Sequence, residues 1–139
     1  MQGYNCIMVY DKEEQKLLFC RRKKNPYKGL YNFVGDKIEE GEDGFHAAYR
    51  ELNEETGIGE ADIALFHMMD FQYYNQNCYV EVYVGALKRD ILLQEEAHPL
   101  EWLPLTENFF DMTKFAGEGN IGHMVEQVCQ YGRGKENKS

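Results

Sequence analysis

The sequence predicts an α/β fold, and two observations support this class. Segments with strand-like and helix-like patterns follow one another in the order β-β-β-α-β-β, and a further helix lies near the C-terminus. The chain has 139 residues, 43% of them hydrophobic, without an internal repeat or a low-complexity linker. A chain of this length most simply forms one domain around one core. We expect that domain at residues 1–131, followed by a flexible polar tail at residues 132–139.

Three strands are predicted before the first helix, at residues 3–10, 16–21 and 31–34. The intervening segment 11–15 (DKEEQ) is typical of a turn. A basic loop that contains glycine and proline occupies residues 22–30 (RKKNPYKGL). Residues 35–41 are then expected to form the loop that leads into the helix.

The first helix is predicted at residues 43–56. Asp43 is a favourable N-cap residue, and its negative charge suits the positive end of the helix dipole. Apolar residues such as Ala47 and Leu52 recur with a period near 3.6. Gly57 is placed to end the helix in the left-handed conformation.

A long hairpin is predicted after this helix, with strands at residues 63–74 and 77–87. In the second strand, valines alternate with tyrosine and glutamate, which is the period of a half-buried strand. A short extended segment at residues 101–103 and a helical turn at 106–110 follow. The last predicted element is a helix at residues 119–131 with one apolar stripe.

The first helix carries three carboxylates on one face. Glu51, Glu54 and Glu55 lie at positions i, i+3 and i+4, and Arg50 precedes the first of them. Residues at this spacing are neighbours on a helix, so their like charges repel one another unless a counter-charge is present. Oxygen ligands of this kind suit a hard divalent cation such as Mg²⁺ or Mn²⁺. The alternative is a solvated acidic helix stabilised by an Arg50–Glu54 pair.

Residues 36–58 resemble the Nudix box, whose pattern is Gly-x5-Glu-x7-Arg-Glu-U-x-Glu-Glu-x-Gly-U, with U a bulky aliphatic residue. The matching residues are Glu42, Arg50, Glu51, Leu52, Glu54, Glu55, Gly57 and Ile58. One position departs from the pattern, because Asp36 stands where the box begins with glycine. The resemblance implies an α/β/α sandwich around a mixed β-sheet. It also implies a metal-dependent hydrolase that cleaves a nucleoside diphosphate linked to another group.

The resemblance assigns roles to the charged residues of the box. Glu54 and Glu55 are expected to bind Mg²⁺ or Mn²⁺, and Glu51 is expected to be a further ligand or the general base. Arg50 is expected to hold a carboxylate in place through charge-assisted hydrogen bonds. Glu42 has two open interpretations, a local salt-bridge partner near the helix start or a direct role.

Asp36 leaves three interpretations open: an active enzyme, a weakened enzyme, or a domain that binds without cleaving. The family's glycine can bind metal through its backbone carbonyl, which does not depend on the side chain. The added carboxylate either joins the metal ligands or crowds them. We favour an active site with an altered loop, because every carboxylate of the helix is retained.

A further acidic residue is expected from a late loop, since residues 95–102 (EEAHPLEW) resemble that region in MutT-like members. Glu96 is the candidate for the added ligand or the base, with a solvated loop carboxylate as the alternative. His98 is expected at the surface. Trp102 is expected to pack in the core rather than to stack on a base.

The loop before the box suggests how a substrate is bound. Residues 29–35 (GLYNFVG) resemble the corresponding segment of Nudix enzymes that act on oxidised purine nucleotides, which makes Asn32 a candidate for reading a purine edge. Arg22, Lys24 and Lys37 are candidates for binding phosphate oxygens. The alternatives are a hydrogen-bonded turn residue for the asparagine and a solvated surface for the basic residues.

The composition excludes several classes of partner. The net charge of −9 argues against binding duplex DNA or an anionic membrane. No apolar run reaches 18 residues, and the N-terminus lacks the pattern of a signal peptide. The four cysteines are scattered and form no CxxC pair, so a reducing cytoplasm is the expected location.

Three functional hypotheses follow. The first is a metal-dependent hydrolase that converts a nucleoside triphosphate, such as 8-oxo-dGTP, to the monophosphate and pyrophosphate. The second is the same chemistry on another nucleoside diphosphate derivative, such as ADP-ribose or a dinucleotide polyphosphate. The third is a nucleotide-binding regulatory module with weak catalysis because of Asp36. The sequence is compatible with a monomer or a homodimer.

Overall fold

The computed structural model describes residues 1–96 and 98–131. The strands are β1 (Gln2–Tyr10), β2 (Lys16–Arg21), β3 (Tyr31–Asn32), β4 (Phe66–Tyr73), β5 (Cys78–Ala86) and β6 (Leu100–Pro104). The α-helices are α1 (Gly44–Thr56) and α2 (Asn120–Tyr131), and a 3₁₀ turn covers Tyr74–Gln76. The tail predicted at 132–139 lies outside the described residues. No helix in the described part of the chain is long and apolar enough to cross a bilayer.

The described strands form one mixed, six-stranded sheet in the order β3-β2-β1-β5-β4, with β6 paired to β2. Strand β1 runs parallel to β5 along its whole length, from the pair Gln2–Cys78 to the pair Tyr10–Ala86. The other strand pairs are antiparallel. The predicted α/β class and mixed sheet are therefore confirmed.

The sheet is covered by a helix on each face. On one face, Met8 and Val82 pack in a cluster with Ile121 and Val125 of α2. On the other face, side chains of alternate parity, among them Ile7 and Val9, pack in a second cluster with residues of α1. Because successive strand residues point to opposite faces, β1 and β5 supply both clusters at once. This arrangement is the predicted α/β/α sandwich.

Helix α1 has the predicted ends with one difference. Asp43 is the N-cap residue, but its carboxylate bonds the His46 ring at 2.9 Å and makes no side-chain hydrogen bond to the helix backbone. Gly57 adopts the left-handed conformation with φ 83°, and its N–H donates to the carbonyl of Asn53. The helix therefore begins and ends where the box pattern requires.

Several elements differ in their bounds from the prediction, among them the third strand, which ends at Asn32 rather than at residue 34. The first hairpin strand begins at Phe66 rather than residue 63, and the 3₁₀ turn joins the two strands in place of a two-residue turn. The segment 106–110 forms turns and no named helix. Trp102 is half-buried and packs against the cluster on the α1 face, in agreement with its predicted packing role.

Candidate functional site

Three carboxylates meet beside the start of the box loop, which is the segment 35–41 that leads into α1. Asp36 lies in this loop, and Glu51 and Glu55 lie one turn apart on α1. One carboxylate oxygen from each residue lies within 4.8 Å of the others. The i, i+4 spacing on the helix brings the two glutamates together, and the loop adds the aspartate. The fold thus brings Asp36 next to two glutamates that lie 15 and 19 positions further along the sequence.

Burial and mutual repulsion set the protonation of this cluster. Burial raises the pKa of Glu55 to about 8, and the nearby Glu51 and Asp36 charges act in the same direction. The Gly35 N–H, 3.4 Å from Glu55 Oε1, opposes this shift. Burial also raises the pKa of Glu51, while Arg50 lowers it. The site therefore favours either a proton or a cation among its oxygens.

The donor set fits a hard divalent cation. Each of the three residues offers carboxylate oxygen, which suits Mg²⁺ and Mn²⁺, and none offers sulfur or imidazole. Two of the three side chains project from a helix that packs on the sheet, so their backbone positions are rigid. The cluster meets the chemical requirement for a Mg²⁺ or Mn²⁺ site.

Arg50 connects the box carboxylates that lie around the cluster. Its Nε donates to Glu42 Oε2 at 2.6 Å and its Nη2 donates to Glu42 Oε1 at 2.9 Å, which makes a bidentate pair. Its Nη1 donates to Glu51 and to Glu54, in each case at 3.1 Å. The guanidinium holds the pKa of the Glu42 carboxyl below its ordinary value. Glu42 therefore anchors Arg50, and Arg50 in turn orients Glu51.

Two predicted residues lie outside the cluster. Glu54 is exposed and bonds Arg50, so its carboxylate is not among the three grouped oxygens. Glu96 is exposed and lines neither of the two pockets described below. Their roles as metal ligand and as added ligand or base stay predictions.

The backbone conformation at Asp36 does not require the glycine that begins the box pattern. Asp36 is not among the described residues with positive φ, whereas the preceding Gly35 has φ 132°. An added Cβ at Gly35 would lie 2.3 Å from the backbone oxygen of Asn5. The conformational need for glycine therefore falls on position 35, and aspartate at position 36 is unstrained.

Two adjoining pockets open beside the cluster. The wide pocket has a volume of about 590 Å³ and lies between the sheet and the start of α2. The narrow pocket has a volume of about 260 Å³. The two share a wall made by Arg22, Asn32, Phe33, Gly35 and Asp36. The acidic cluster thus lies beside the junction, since Asp36 lines both pockets and Glu55 lines the narrow one. Glu51 lines neither pocket, but its carboxylate oxygen lies within 4.8 Å of the other two.

The pockets differ in chemistry. The wide pocket has aromatic walls from Tyr27, Phe33, Phe71 and Tyr73. The lining of the narrow pocket combines basic side chains with the carboxylates of Asp36 and Glu55. These basic residues are Arg22, Lys23, Lys24 and His98. Such a pair of pockets suits a ligand with a flat ring system at one end and phosphates at the other.

The structure brings most of the predicted binding residues to these pockets. Arg22 and Asn32 line both, and Lys24 lines the narrow one. The Asn32 side-chain oxygen accepts a hydrogen bond from the Phe33 N–H at 2.9 Å. Lys37 is exposed and lines neither pocket. The phosphate role of Lys37 stays a prediction without a pocket to support it.

Two residues of the site were missed by the sequence analysis. His98, expected at the surface, is half-buried in the wall of the narrow pocket, and burial together with Lys23 and Arg22 lowers its pKa. Asn5 of β1 is 5% exposed and hydrogen-bonds the backbone of Asp36. The available signal for Asn5 was a polar residue inside an otherwise apolar strand.

The sequence matches the NUDIX domain family over residues 2–123, and the chain belongs to this family. A curated relative, the ADP-ribose pyrophosphatase of Methanocaldococcus jannaschii, is 41% identical over 46 residues. This match covers 33% of the chain and only 27% of the relative, so the chain matches about a quarter of that protein's length.

Solved structures share the fold over almost the whole chain. A C. elegans Ap4A hydrolase binary complex has a TM-score of 0.74 at 16% identity and covers 94% of this chain and 97% of its own. The NUDIX domain of Shewanella oneidensis NrtR, complexed with ADP ribose, has a TM-score of 0.71 at 16% identity, with coverages of 92% and 86%. A MutT structure from work on Aliivibrio salmonicida and Vibrio cholerae has a TM-score of 0.68 at 17% identity, with coverages of 94% and 98%. At these identities the likeness shows the shared fold.

Proposed function

We propose that the protein is a divalent-metal-dependent pyrophosphohydrolase that acts on a nucleotide containing a diphosphate linkage. The observation that carries this proposal is the position of the Asp36, Glu51 and Glu55 cluster beside the junction of the two pockets. A nucleotide laid across the junction would place its phosphates beside the carboxylates. Membership of the NUDIX domain family supports the same reaction class.

Asp36, Glu51 and Glu55 would hold Mg²⁺ or Mn²⁺ through carboxylate oxygens. The bound cation would neutralise phosphate charge and polarise a water molecule. Arg50 keeps Glu51 in place through the 3.1 Å hydrogen bond, and Glu42 fixes Arg50 from the other side. Glu54 would add a ligand if it turned away from Arg50.

The substrate would lie with its base in the wide pocket and its phosphates in the narrow one. Aromatic walls such as Tyr27 and Phe71, which are half-buried, offer stacking surface to a base, and Asn32 offers an amide for its edge. Arg22 and Lys24 line the narrow pocket and would contact phosphate oxygens there. This orientation brings the diphosphate linkage to the carboxylate cluster.

In the proposed reaction, a water oxygen forms a bond to one phosphorus of the linkage. The bridging P–O bond breaks, and the departing phosphate keeps the bridging oxygen and its electron pair. A carboxylate accepts the proton from water. Glu51 and Glu96 are the two candidates for that base, and the variants described in the Discussion distinguish them.

The substrate belongs to one of two classes. A nucleoside triphosphate, including 8-oxo-dGTP, is the class that the loop around Asn32 predicts. The names of the relatives point instead to ADP-ribose and to Ap4A, and none of them supports 8-oxo-dGTP. Both classes contain a base, a pentose (ribose or deoxyribose) and a diphosphate linkage, which is the part that the two pockets fit.

A nucleotide panel tests this proposal. We would incubate the protein with dGTP, 8-oxo-dGTP, ADP-ribose and Ap4A in Mg²⁺ and in Mn²⁺ and separate the products by anion-exchange chromatography. The proposal expects metal-dependent cleavage of at least one nucleotide at its diphosphate linkage, and the products name the substrate class. Asp36→Gly serves as the paired variant. Turnover only by Asp36→Gly would show that Asp36 silences the site, and would favour the binding module.

A further inference from the structure

We infer that Asn5 is a positioning residue that holds the Asp36 backbone so that the Asp36 carboxylate joins Glu51 and Glu55. The inference rests on the proposed metal site, but it concerns a strand residue outside the Nudix box. Asn5 lies on β1, 31 residues before Asp36 in the sequence. No pattern in the sequence links the two residues.

Asn5 contacts Asp36 from both sides of its backbone. The Asn5 N–H donates to the Asp36 carbonyl at 2.9 Å, and the Asp36 N–H donates to Asn5 Oδ1 at 3.2 Å. Both atoms of Asp36 that hydrogen-bond here are main-chain atoms, so the contact fixes where its Cα and side chain lie. The Asp36 carboxylate accepts the Lys37 N–H at 2.8 Å, which further limits its rotation.

The neighbouring glycine shows how closely the loop follows Asn5. A Cβ added to Gly35 would lie 2.3 Å from the Asn5 backbone oxygen and 2.8 Å from Asn5 Oδ1. The same Gly35 donates its N–H toward Glu55 Oε1 at 3.4 Å. Asn5 thus packs against the backbone of residues 35 and 36, where Gly35 contacts the Glu55 carboxylate and Asp36 supplies a second carboxylate of the cluster.

The nitrogen of the Asn5 amide gains no hydrogen bond at this buried position. This Nδ2 atom is the one buried side-chain nitrogen or oxygen without a hydrogen-bond partner in residues 1–96 and 98–131. A buried donor without an acceptor lowers stability, and an apolar residue of similar size would avoid this cost. The amide nitrogen therefore lowers the stability of the fold at this strand position, whereas the amide oxygen makes the hydrogen bond to Asp36.

Metal binding by single and double variants tests the inference without any substrate. We would measure the Mn²⁺ dissociation constant by EPR for the wild type, Asn5→Leu, Asp36→Asn and the double variant. If Asn5 acts through Asp36, Asn5→Leu weakens Mn²⁺ binding about tenfold, in the range typical of residues that orient ligands. The double variant then binds no more weakly than Asp36→Asn alone, because the two residues act as one unit.

A purely structural role for Asn5 predicts a different result. Loss of packing at β1 would weaken Mn²⁺ binding by the same factor with or without the Asp36 carboxylate. Additive losses, or an Asn5→Leu protein that binds Mn²⁺ like the wild type, would overturn the inference. Gln2→Leu is the matched control, since Gln2 Nε2 also bonds this loop, at the Ile38 carbonyl (3.2 Å). We expect Gln2→Leu to leave the Mn²⁺ affinity unchanged.

Thermal unfolding in EDTA supplies the second readout. Asn5→Leu removes the unpaired Nδ2 but also the acceptor of the Asp36 N–H, and these two effects oppose each other. We therefore expect a melting temperature close to that of the wild type, while Mn²⁺ binding is weakened. If leucine does not fit and the protein unfolds, Asn5→Ala replaces it in the same cycle with the same expected coupling. A wild type that binds no Mn²⁺ would overturn the proposed metal site itself. A wild type that binds Mn²⁺ and cleaves a nucleotide, together with an unaffected Asn5→Leu, would overturn only the role of Asn5.

Discussion

Glu55 makes the metal-free protein less stable as the pH rises from about 5 to about 8. Its pKa is about 8 in the folded protein and 4.5 in an unperturbed chain. At pH values between these two, the folded protein keeps the proton that the unfolded chain releases. The free energy of unfolding contributed by Glu55 is therefore fully present below pH 4.5 and is lost as pH rises toward 8.

The size of this loss follows from the pKa values. Each pH unit inside the window costs about 1.4 kcal/mol for one proton. Between pH 5.5 and 7.5 the wild type should thus lose on the order of 3 kcal/mol through Glu55 alone. Glu51 acts in the same direction, because its pKa is also raised by burial. The lowered pKa of His98 acts in the opposite direction below its ordinary value of 6.5.

Urea unfolding in EDTA at several pH values, on the wild type and on Glu55→Gln, isolates the contribution of Glu55. The amide cannot release a proton, so the variant should lose less stability between pH 5.5 and 7.5 than the wild type does. Saturating Mn²⁺ should abolish the decline in the wild type, since the cation replaces the proton. Equal slopes for the two proteins would refute the assignment of Glu55 as a buried acid. Glu60→Gln, at an exposed turn, is the control and should keep the wild-type slope.

Three further variants test the loop, the arginine and the base. Gly35→Ala should lower the free energy of unfolding, measured by urea denaturation, by about 2 kcal/mol, because Gly35 has φ 132° and no room for a Cβ. A loss near zero would contradict this conformation of the loop. Arg50→Lys should retain the fold but lower kcat/KM about 10- to 100-fold, since lysine cannot bond Glu42 and Glu51 at the same time as the guanidinium does. Unchanged kinetics would show that Arg50 does not orient Glu51. Glu96→Gln should lower kcat by about 100-fold or more if Glu96 is the base, with an unchanged Mn²⁺ dissociation constant. An unchanged kcat would instead assign the base to Glu51.

The features that the sequence predicts correctly depend on local patterns. The alternation of residues in β5 and the 3.6-residue period in α1 follow from backbone geometry, which each segment carries by itself. Gly57 ends the helix in the left-handed conformation, and this turn is determined by the residues next to it in the sequence. The box spacing also places Glu51 and Glu55 on one face of the helix without any tertiary information.

The features that the sequence does not predict depend on distant contacts. The sequence leaves Glu54 with two open interpretations, a metal ligand or a partner of Arg50, and the structure shows the hydrogen bond to Arg50, which is itself held by Glu42 in the preceding loop. The hydrogen bonds between Asn5 and Asp36 depend on the packing of β1 beside the box loop. The spacing of the box allows the Arg50–Glu54 pair without deciding it, and Asn5 lies outside the box altogether.

The central claim is that the acidic cluster holds the metal that nucleotide cleavage requires. The most direct measurement is the initial rate of nucleotide cleavage by the wild type, Glu55→Gln and Glu60→Gln, in Mg²⁺ and after addition of EDTA. The account predicts a wild-type rate that EDTA abolishes, a loss of at least about 100-fold in Glu55→Gln, and an unchanged rate in Glu60→Gln. Cleavage that persists in EDTA, or a Glu55→Gln protein as fast as the wild type, would contradict it.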